Sequence, residues 1–323
     1  MTAQQSAQGS SGTSPAAPEH SDLPPIKAIK LRHPLRWIIA AILVFYAVGF
    51  VVDAAVNRPV YDWATFGKYI FDQRISEAAL VTLLLTIYSM ILAIVLGIIL
   101  AVMRLSPNPI FKSIAWLYLW LFRGTPVYVQ LVFWGLLATV YPTVMIGLPF
   151  MTPIFEIPTD FIPVFWIAVI GLGMNEAAYM AEIVRAGILS VDKGQEEAAT
   201  ALGMTWFQTM TRVVLPQSMR VIIPPTGNEI ISMLKTTSLV AAVPYSFDLY
   251  MRARDIAGPI FKPIPLLLVA SAWYLLVTSI LMIGQYYLEK RFARGATGMA
   301  LTRKQLRAQM DADIAEGKEQ RGE

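Results

Sequence analysis

Cysteine is absent from the 323 residues, which excludes disulfides and thiolate metal sites. Histidine is nearly absent too: His20 and His33 are the only two, both near the N-terminus, which argues against a histidine-based metal or catalytic centre. Charge is scarce. Charged residues make up 15% of the chain and hydrophobic residues 56%, too apolar for an ordinary soluble domain. No phosphate-binding loop of the G-x-x-x-x-G-K-[ST] kind occurs. The Gly-Lys pairs Gly67-Lys68 and Gly317-Lys318 lack both the upstream glycine and the following Ser or Thr, so no nucleotide hydrolysis is expected here. The sequence offers no catalytic residue, metal site or bound cofactor. The net charge of +4 reads as an orientation signal of a membrane protein, not as affinity for nucleic acid.

What is present is long apolar runs. Residues 1–30 are rich in Ser, Gln, Ala, Gly and Pro and read as a disordered tail. No signal-peptide core follows within them. Apolar spans are then expected at about 35–52, 78–103, 113–140, 161–181, 221–243 and 264–288. The second carries no charge from Ala78 to Met103, enough for a tilted crossing of a ~30 Å hydrocarbon core. These runs lack the two-residue alternation of barrel strands, so helices are expected throughout, giving an all-α integral membrane protein with six transmembrane helices. Lys and Arg are threefold more frequent in the segments on the N-terminal side of the membrane than on the other, so both termini and the 181–220 loop are expected in the cytoplasm. The tail 291–323 falls on that side, and Lys290, Arg291 and Arg294 read as an anionic-lipid contact. No internal duplication of the secondary-transporter kind is visible.

The most informative segment is 195–216, QEEAATALGMTWFQTMTRVVLP. Asp192 and Gln195 are spaced as a weak capping box, opening a helix near Lys193. Gly203 fits the left-handed position that ends a helix. Thr205 and Gln208 form a second capping pair, and that helix is expected to stop near Val214, before Pro216. Trp206, Met210 and Val213 share one face of it. On pattern alone two readings stand: a rigid part that docks on another protein, or an amphipathic helix lying on lipid headgroups.

Glu197-Ala198-Ala199, Gly203 four residues on, and Leu215-Pro216 resemble the EAA loop of ATP-binding-cassette (ABC) importer permeases. The run 179–188 (YMAEIVRAGI), Gly194-Gln195, Arg123-Gly124-Thr125-Pro126, Leu215-Pro216-Gln217, Pro224-Pro225 and Asn228 resemble the polar-amino-acid branch of that superfamily. The run 235–239 (KTTSL) resembles the Lys-Asp-Thr-Ser-Leu of the branch. Thr236 replaces its aspartate, which leaves no support for an ionic role there. The resemblance spans roughly 75–290 and implies a five-helix core with one added N-terminal helix. It also implies two permease copies, identical or similar, around one path in the inner membrane of a bacterial cell. ABC ATPase subunits consuming ATP with Mg would accept the loop 192–216 as a coupling element. A periplasmic substrate-binding protein would deliver a polar amino acid. Glu197, Ala198, Ala199, Gly203, Trp206, Phe207 and Met210 are the expected ATPase-coupling residues.

Ionised groups at a lipid-exposed helix centre cost roughly 2.5–3.5 kcal/mol or more, so those within the spans are expected to face the bundle interior or a water-filled cavity. Arg123, Thr125, Gln130, Glu176, Asn228, Glu229, Ser232 and Lys235 are the substrate-path candidates. Asn228, Ser232 and Lys235 fall on one helix face, and Arg123 and Gln130 are expected to share another. Pro126 frees the carbonyl of Phe122 at membrane depth. Together they suit a zwitterionic solute, while ion pairs locking helices together would use the same charges. Glu182 and Arg185 are spaced as a helix pair at the cytoplasmic mouth. The aromatics read mostly as interface belts and lipid-facing packing. A secondary transporter driven by an ion gradient would also explain Glu176 and Glu229, but not the EAA loop. A membrane scaffold would explain the loop but not the buried charges.

Overall fold

The computed structural model describes residues 34–146 and 153–293. The expected tail 1–30, Arg294 and the rest of the C-terminal tail lie outside the described residues. The chain divides into two compact units, residues 1–58 and 59–323.

The first unit contributes one helix, α1 (Pro34–Asn57), a few residues longer than expected. It has no acidic residue before Asp53. The Asp53 carboxylate ends the apolar run by accepting from Asn57 Nδ2 at 2.6 Å and facing Arg58 at 3.5 Å.

The second unit begins with a 3-10 turn at Pro59–Tyr61, followed by a short helix, α2 (Trp63–Tyr69), and then α3 (Gln73–Leu105). Asp62 and Asp72 cap them, accepting from the backbone of Thr65 and Arg74. The third expected span is divided into α4 (Pro109–Gly124), α5 (Val127–Gly135) and the single turn α6 (Leu137–Val140). The break is at Thr125 and Pro126, both extended, because proline biases its predecessor away from helical ψ. An unanticipated hairpin follows: β1 (Thr143–Ile146) pairs antiparallel with β2 (Phe155–Pro158), Thr143 opposite Pro158. Then come α7 (Val164–Leu189), α8 (Lys193–Ala201), α9 (Trp206–Thr209), α10 (Leu215–Thr236), α11 (Leu249–Ile260) and α12 (Pro263–Ala293).

Among the described residues four helices, α1, α3, α7 and α12, are long and apolar enough to cross a membrane. The third expected span is not one of them because Pro126 cuts it. The fifth, α10, is a continuous helix but carries Arg220, Glu229, Lys235 and the internal prolines Pro224 and Pro225. Gln285 Nε2 donates to the Pro224 carbonyl at 2.8 Å, tying that proline turn to α12.

The centre of the second unit is the pair α3 and α7, its most extensive helix contact. Leu85, Met90 and Ala93 of α3 meet Ala168, Leu172 and Met180 of α7, with Leu131 of α5 and Met233 of α10 closing the cluster. Small residues let the backbones approach. A Cβ on Gly97 would stand 2.6 Å from the Cβ of Met180 and 3.1 Å from the Ala181 nitrogen, so nothing larger fits without moving a helix. A second cluster packs α11 on the N-terminal halves of α3 and α12.

Candidate functional site

Two groups of residues carry chemistry: the polar segment between α7 and α10, and a set of polar side chains inside the bundle.

In the first, the Asp192 carboxylate caps α8 by accepting from Gly194 N at 2.6 Å. Gln195 donates only its backbone N–H, to the Asp192 carbonyl, so the expected reciprocal box is a simple cap. The C-terminus of α8 closes as a Schellman motif. Gly203 sits at φ +78°, its N–H bonds to the Thr200 carbonyl at 2.9 Å, and the Met204 N–H reaches the Ala199 carbonyl at 3.1 Å. Two residues later Thr205 opens α9 with a complete capping box: Gln208 N donates to Thr205 Oγ1 at 3.3 Å, and Thr205 N to Gln208 Oε1 at 2.9 Å. The two caps leave little freedom at the corner.

α9 does not stop before Pro216, contrary to the sequence expectation. A π turn spans Met210–Val214, in which Leu215 N bonds to Met210 O, five residues back, and the helical path runs on into α10. Pro216 follows the π turn directly, in the first turn of α10. Trp206 and Phe207 are 71% and 69% exposed, Glu197 and Ala198 are exposed, Met210 is half-buried, and Ala199 and Val214 are buried. At the α7 end, Glu182 holds Arg185 at 2.7 Å and Arg104 of α3 at 3.6 Å, so the expected helix pair is part of a three-residue cluster.

In the bundle, the Phe122 carbonyl freed by Pro126 accepts from Gln130 Nε2 and from Asn175 Nδ2, both at 3.0 Å. Gln130 also donates to Thr125 Oγ1 at 2.7 Å and accepts from Asn175 at 2.9 Å. Arg123 and Gln130 do not share one helix face, because the break at Thr125 and Pro126 separates α4 from α5; Gln130 folds back over the break instead. The Arg123 guanidinium lies 5.4 Å from the Tyr179 ring centroid and is exposed. Among the described residues neither Arg123 nor Lys235 forms a salt bridge.

Glu176 of α7 is buried at 8% exposure beside Glu229 of α10, and its Oε1 has no hydrogen-bond partner among the described residues. Asn228, Ser232 and Lys235 keep their common face, because α10 is helical throughout them. Sequence reasoning missed Asn175, which joins α7 to the Phe122 carbonyl. It also missed Tyr118, whose hydroxyl donates to the Met174 carbonyl at 2.8 Å. Asn175 stands next to Glu176 inside an apolar run, the one sequence signal that marked it. The arrangement offers one buried carboxylate oxygen without a partner among the described residues, two exposed cations, Arg123 and Lys235, that do not face the interior as expected, and a capped apolar projection.

Residues 93–294 match the family of binding-protein-dependent transport system inner membrane components. The chain is 57% identical to the arginine transport system permease protein ArgU of Corynebacterium glutamicum, over 94% of this chain and 93% of that protein. It is 34% identical to the histidine/lysine/arginine/ornithine transport system permease protein HisM of Escherichia coli, over 66% of this chain and 86% of that one. Its fold is similar to that in a crystal structure of an amino acid ABC transporter with histidines. The TM-score is 0.57 and the identity 32%, covering 68% of this chain and 94% of that chain.

Proposed function

The chain belongs to the family of binding-protein-dependent transport system inner membrane components, and from that premise we propose a role for each of its two polar sites. The protein is the permease subunit of an ABC importer that moves a polar amino acid across the inner membrane, driven by ATP hydrolysis in a separate subunit. It is a multi-pass membrane protein that works with ATPase subunits and a substrate-binding protein.

The segment 192–216 is the element that the ATPase drives. The observation that carries this is the double cap at Gly203 and Thr205, which makes a stiff corner and leaves Trp206 and Phe207 exposed. Large aromatics on a rigid support are what a protein pocket binds best. Glu197 and Ala198 flank them, while Ala199 and Met210 set the base of the projection. ATP and Mg act in the partner, and this chain binds neither. The segment then faces the cytoplasm together with both termini, in line with the Lys and Arg distribution. A second permease copy covers the polar residues that one chain leaves exposed at membrane depth, and lipid covers the apolar remainder.

The solute is a cationic amino acid, arginine in the first instance. Likeness to ArgU supports this, and so does the pair Glu176 and Glu229, where a buried carboxylate oxygen is left for a guanidinium or ammonium group. Gln130, Thr125, Asn228, Ser232, Arg123 and Lys235 line the rest of the path, with the cations toward the α-carboxylate. Residues 75–290 form the working domain, and α1 is an addition to it. The test is uptake of labelled arginine into proteoliposomes containing the protein, its ATPase and its binding protein. ATP-dependent uptake, reduced in Glu176→Gln, is expected. Uptake driven by an ion gradient without ATP would replace this reading with a secondary transporter.

A further inference from the structure

The helical line that starts at the coupling segment ends at Ala242, six residues before a buried acid. α10 leaves the π turn without interruption, passes into a 3-10 turn at Thr237–Ala242, and brings the chain to Asp248, the N-cap of α11. Asp248 is fully buried, as are Thr237 and the neighbouring Leu249. One carboxylate oxygen, Oδ2, accepts from Tyr250 N at 3.1 Å and Met251 N at 3.3 Å. The other, Oδ1, has no partner among the described residues. The Leu249 N–H donates to Thr82 Oγ1 of α3 at 2.9 Å. The Tyr274 hydroxyl of α12 points into the same spot, beside Thr82 and Thr237 and within electrostatic reach of Asp248, and it too lacks a completed hydrogen bond. Four elements meet here, and two buried polar atoms, Asp248 Oδ1 and the Tyr274 hydroxyl, lie near the meeting point with no partner among the described residues. An unpaired buried polar atom is costly, so the arrangement calls for a state that pairs them.

We propose that Asp248 is a positioning residue of the transport cycle, a proton-dependent latch that closes on the Tyr274 hydroxyl and holds the far end of the α10 line against α3 and α12. In the closed form Oδ2 keeps accepting the two backbone N–H groups. Oδ1 carries a proton taken from the water on that side of the membrane and donates it as a hydrogen bond to the Tyr274 oxygen. In the open form the proton has returned to water, and the buried charge draws the corner toward hydration.

The groups facing the carboxylate agree with this. Tyr274 faces it from α12 and Tyr245 from its own loop, while Asp255 on α11 repels its charge. α3 presents Thr82, which is neutral. Arg252 sits 4.8 Å from the Phe247 ring centroid and forms no ion pair with Asp248 among the described residues. Burial raises the Asp248 carboxyl to about 6, against the pull of its backbone N–H partners, with Asp255 adding to the rise. A latch with that midpoint loses about thirtyfold of its protonated population between pH 5 and 7.5. A carboxyl raised in the fold contributes its stabilisation fully below the ordinary value of 3.8 and loses it as pH rises through about 6.

The proposal rests on the permease reading, so two readouts are needed. The first is thermal unfolding of the purified protein in lipid nanodiscs between pH 4 and 8. The parent should lose stability as pH rises through about 6, and Asp248→Asn, which retains the cap, should show a shallower slope there. The second is solute imported per ATP hydrolysed in proteoliposomes of the full complex, with pH varied on the side facing α11. The parent should fall severalfold over the same window; Asp248→Asn should be flat, and Tyr274→Phe low at every pH. If Asp248→Asn keeps the parent's slope in unfolding, or if the parent has none, the latch is refuted. If the unfolding slope behaves as stated but no ATP-driven uptake occurs at any pH, the permease reading has failed and the latch has not.

Discussion

Gly203 isolates backbone conformation from packing, which makes it the sharpest test of the coupling corner. Nothing lies within 4 Å of the place a Cβ would occupy, yet φ is +78°. Substitution there meets no steric obstacle outside its own backbone, and the whole penalty is the left-handed conformation, about 1–2 kcal/mol for an ordinary L-residue. Asparagine pays less because its short side chain bonds locally. A β-branched residue pays more. At 1.4 kcal/mol per factor of ten, Gly203→Ala should lower the capped population relative to frayed forms by roughly five- to thirtyfold. The two closing hydrogen bonds, from Gly203 N and Met204 N, go with it.

The expected order of solute imported per ATP hydrolysed is therefore glycine, asparagine, alanine, valine. Expression, membrane insertion and the ATPase activity of the isolated partner should stay unchanged. Gly203→Asp, which adds a charge to the corner, should uncouple transport from hydrolysis. The assay is ATP hydrolysis and solute uptake measured on the same proteoliposomes. Near-normal coupling in the alanine and valine variants, or an order unrelated to left-handed preference, would refute a role for corner stiffness.

Three other outcomes follow from the structure. Asn175→Leu removes one of the two donors to the Phe122 carbonyl and the donor to Gln130 Oε1, and should cost about 1–3 kcal/mol, read as a lower unfolding temperature in detergent. Gly97→Val forces a side chain into the α3–α7 contact, where the Met180 Cβ stands 2.6 Å away, and should cost about 1–3 kcal/mol by the same measurement; no change would mean the two helices are less tightly packed than described. The Lys262 ammonium at 2.8 Å, with help from Thr65, holds the Asp62 carboxyl down at about 2. That depressed carboxyl contributes stability present above about pH 4 and lost as pH falls toward 2. Lys262→Met should flatten this acid limb of the stability profile, and an unchanged limb would show the pair contributes nothing.

Local chemistry was legible in the sequence and long-range pairing was not. Gly203, Thr205 and Gln208 announce their caps because a cap is complete within six residues. The free Phe122 carbonyl could be read for the same reason, although Arg123 and Gln130 were still expected on one face across the break that Pro126 makes. The groups that satisfy that carbonyl could not all be read: Gln130 is eight residues on, but Asn175 is fifty-three. Leu249 and Thr82 are separated by 167 residues, so the meeting point around Asp248 had no sequence signal beyond a capping residue. Pro216 read as a stop because proline usually is one. The π turn before it shifts the hydrogen-bond register by one residue and lets the helix through. α10 was found as a span from its apolar residues although its prolines and charges leave it outside the four helices that qualify by length and hydropathy. The family resemblance, carried by the glutamate, glycine and proline of 197–216, anticipated the match over residues 93–294.

The chain has no cysteine, so a single one can be placed without background labelling. Phe207→Cys puts it on the exposed aromatic edge of α9. Short bifunctional crosslinking from that position in the assembled complex should capture the ATPase subunit, with a yield that changes between nucleotide-free and ATP-bound states. A full complex in which position 207 never crosslinks to the ATPase, or is labelled only by reagents on the opposite side of the membrane, would contradict the claim that residues 192–216 pass the work of ATP hydrolysis into the bundle.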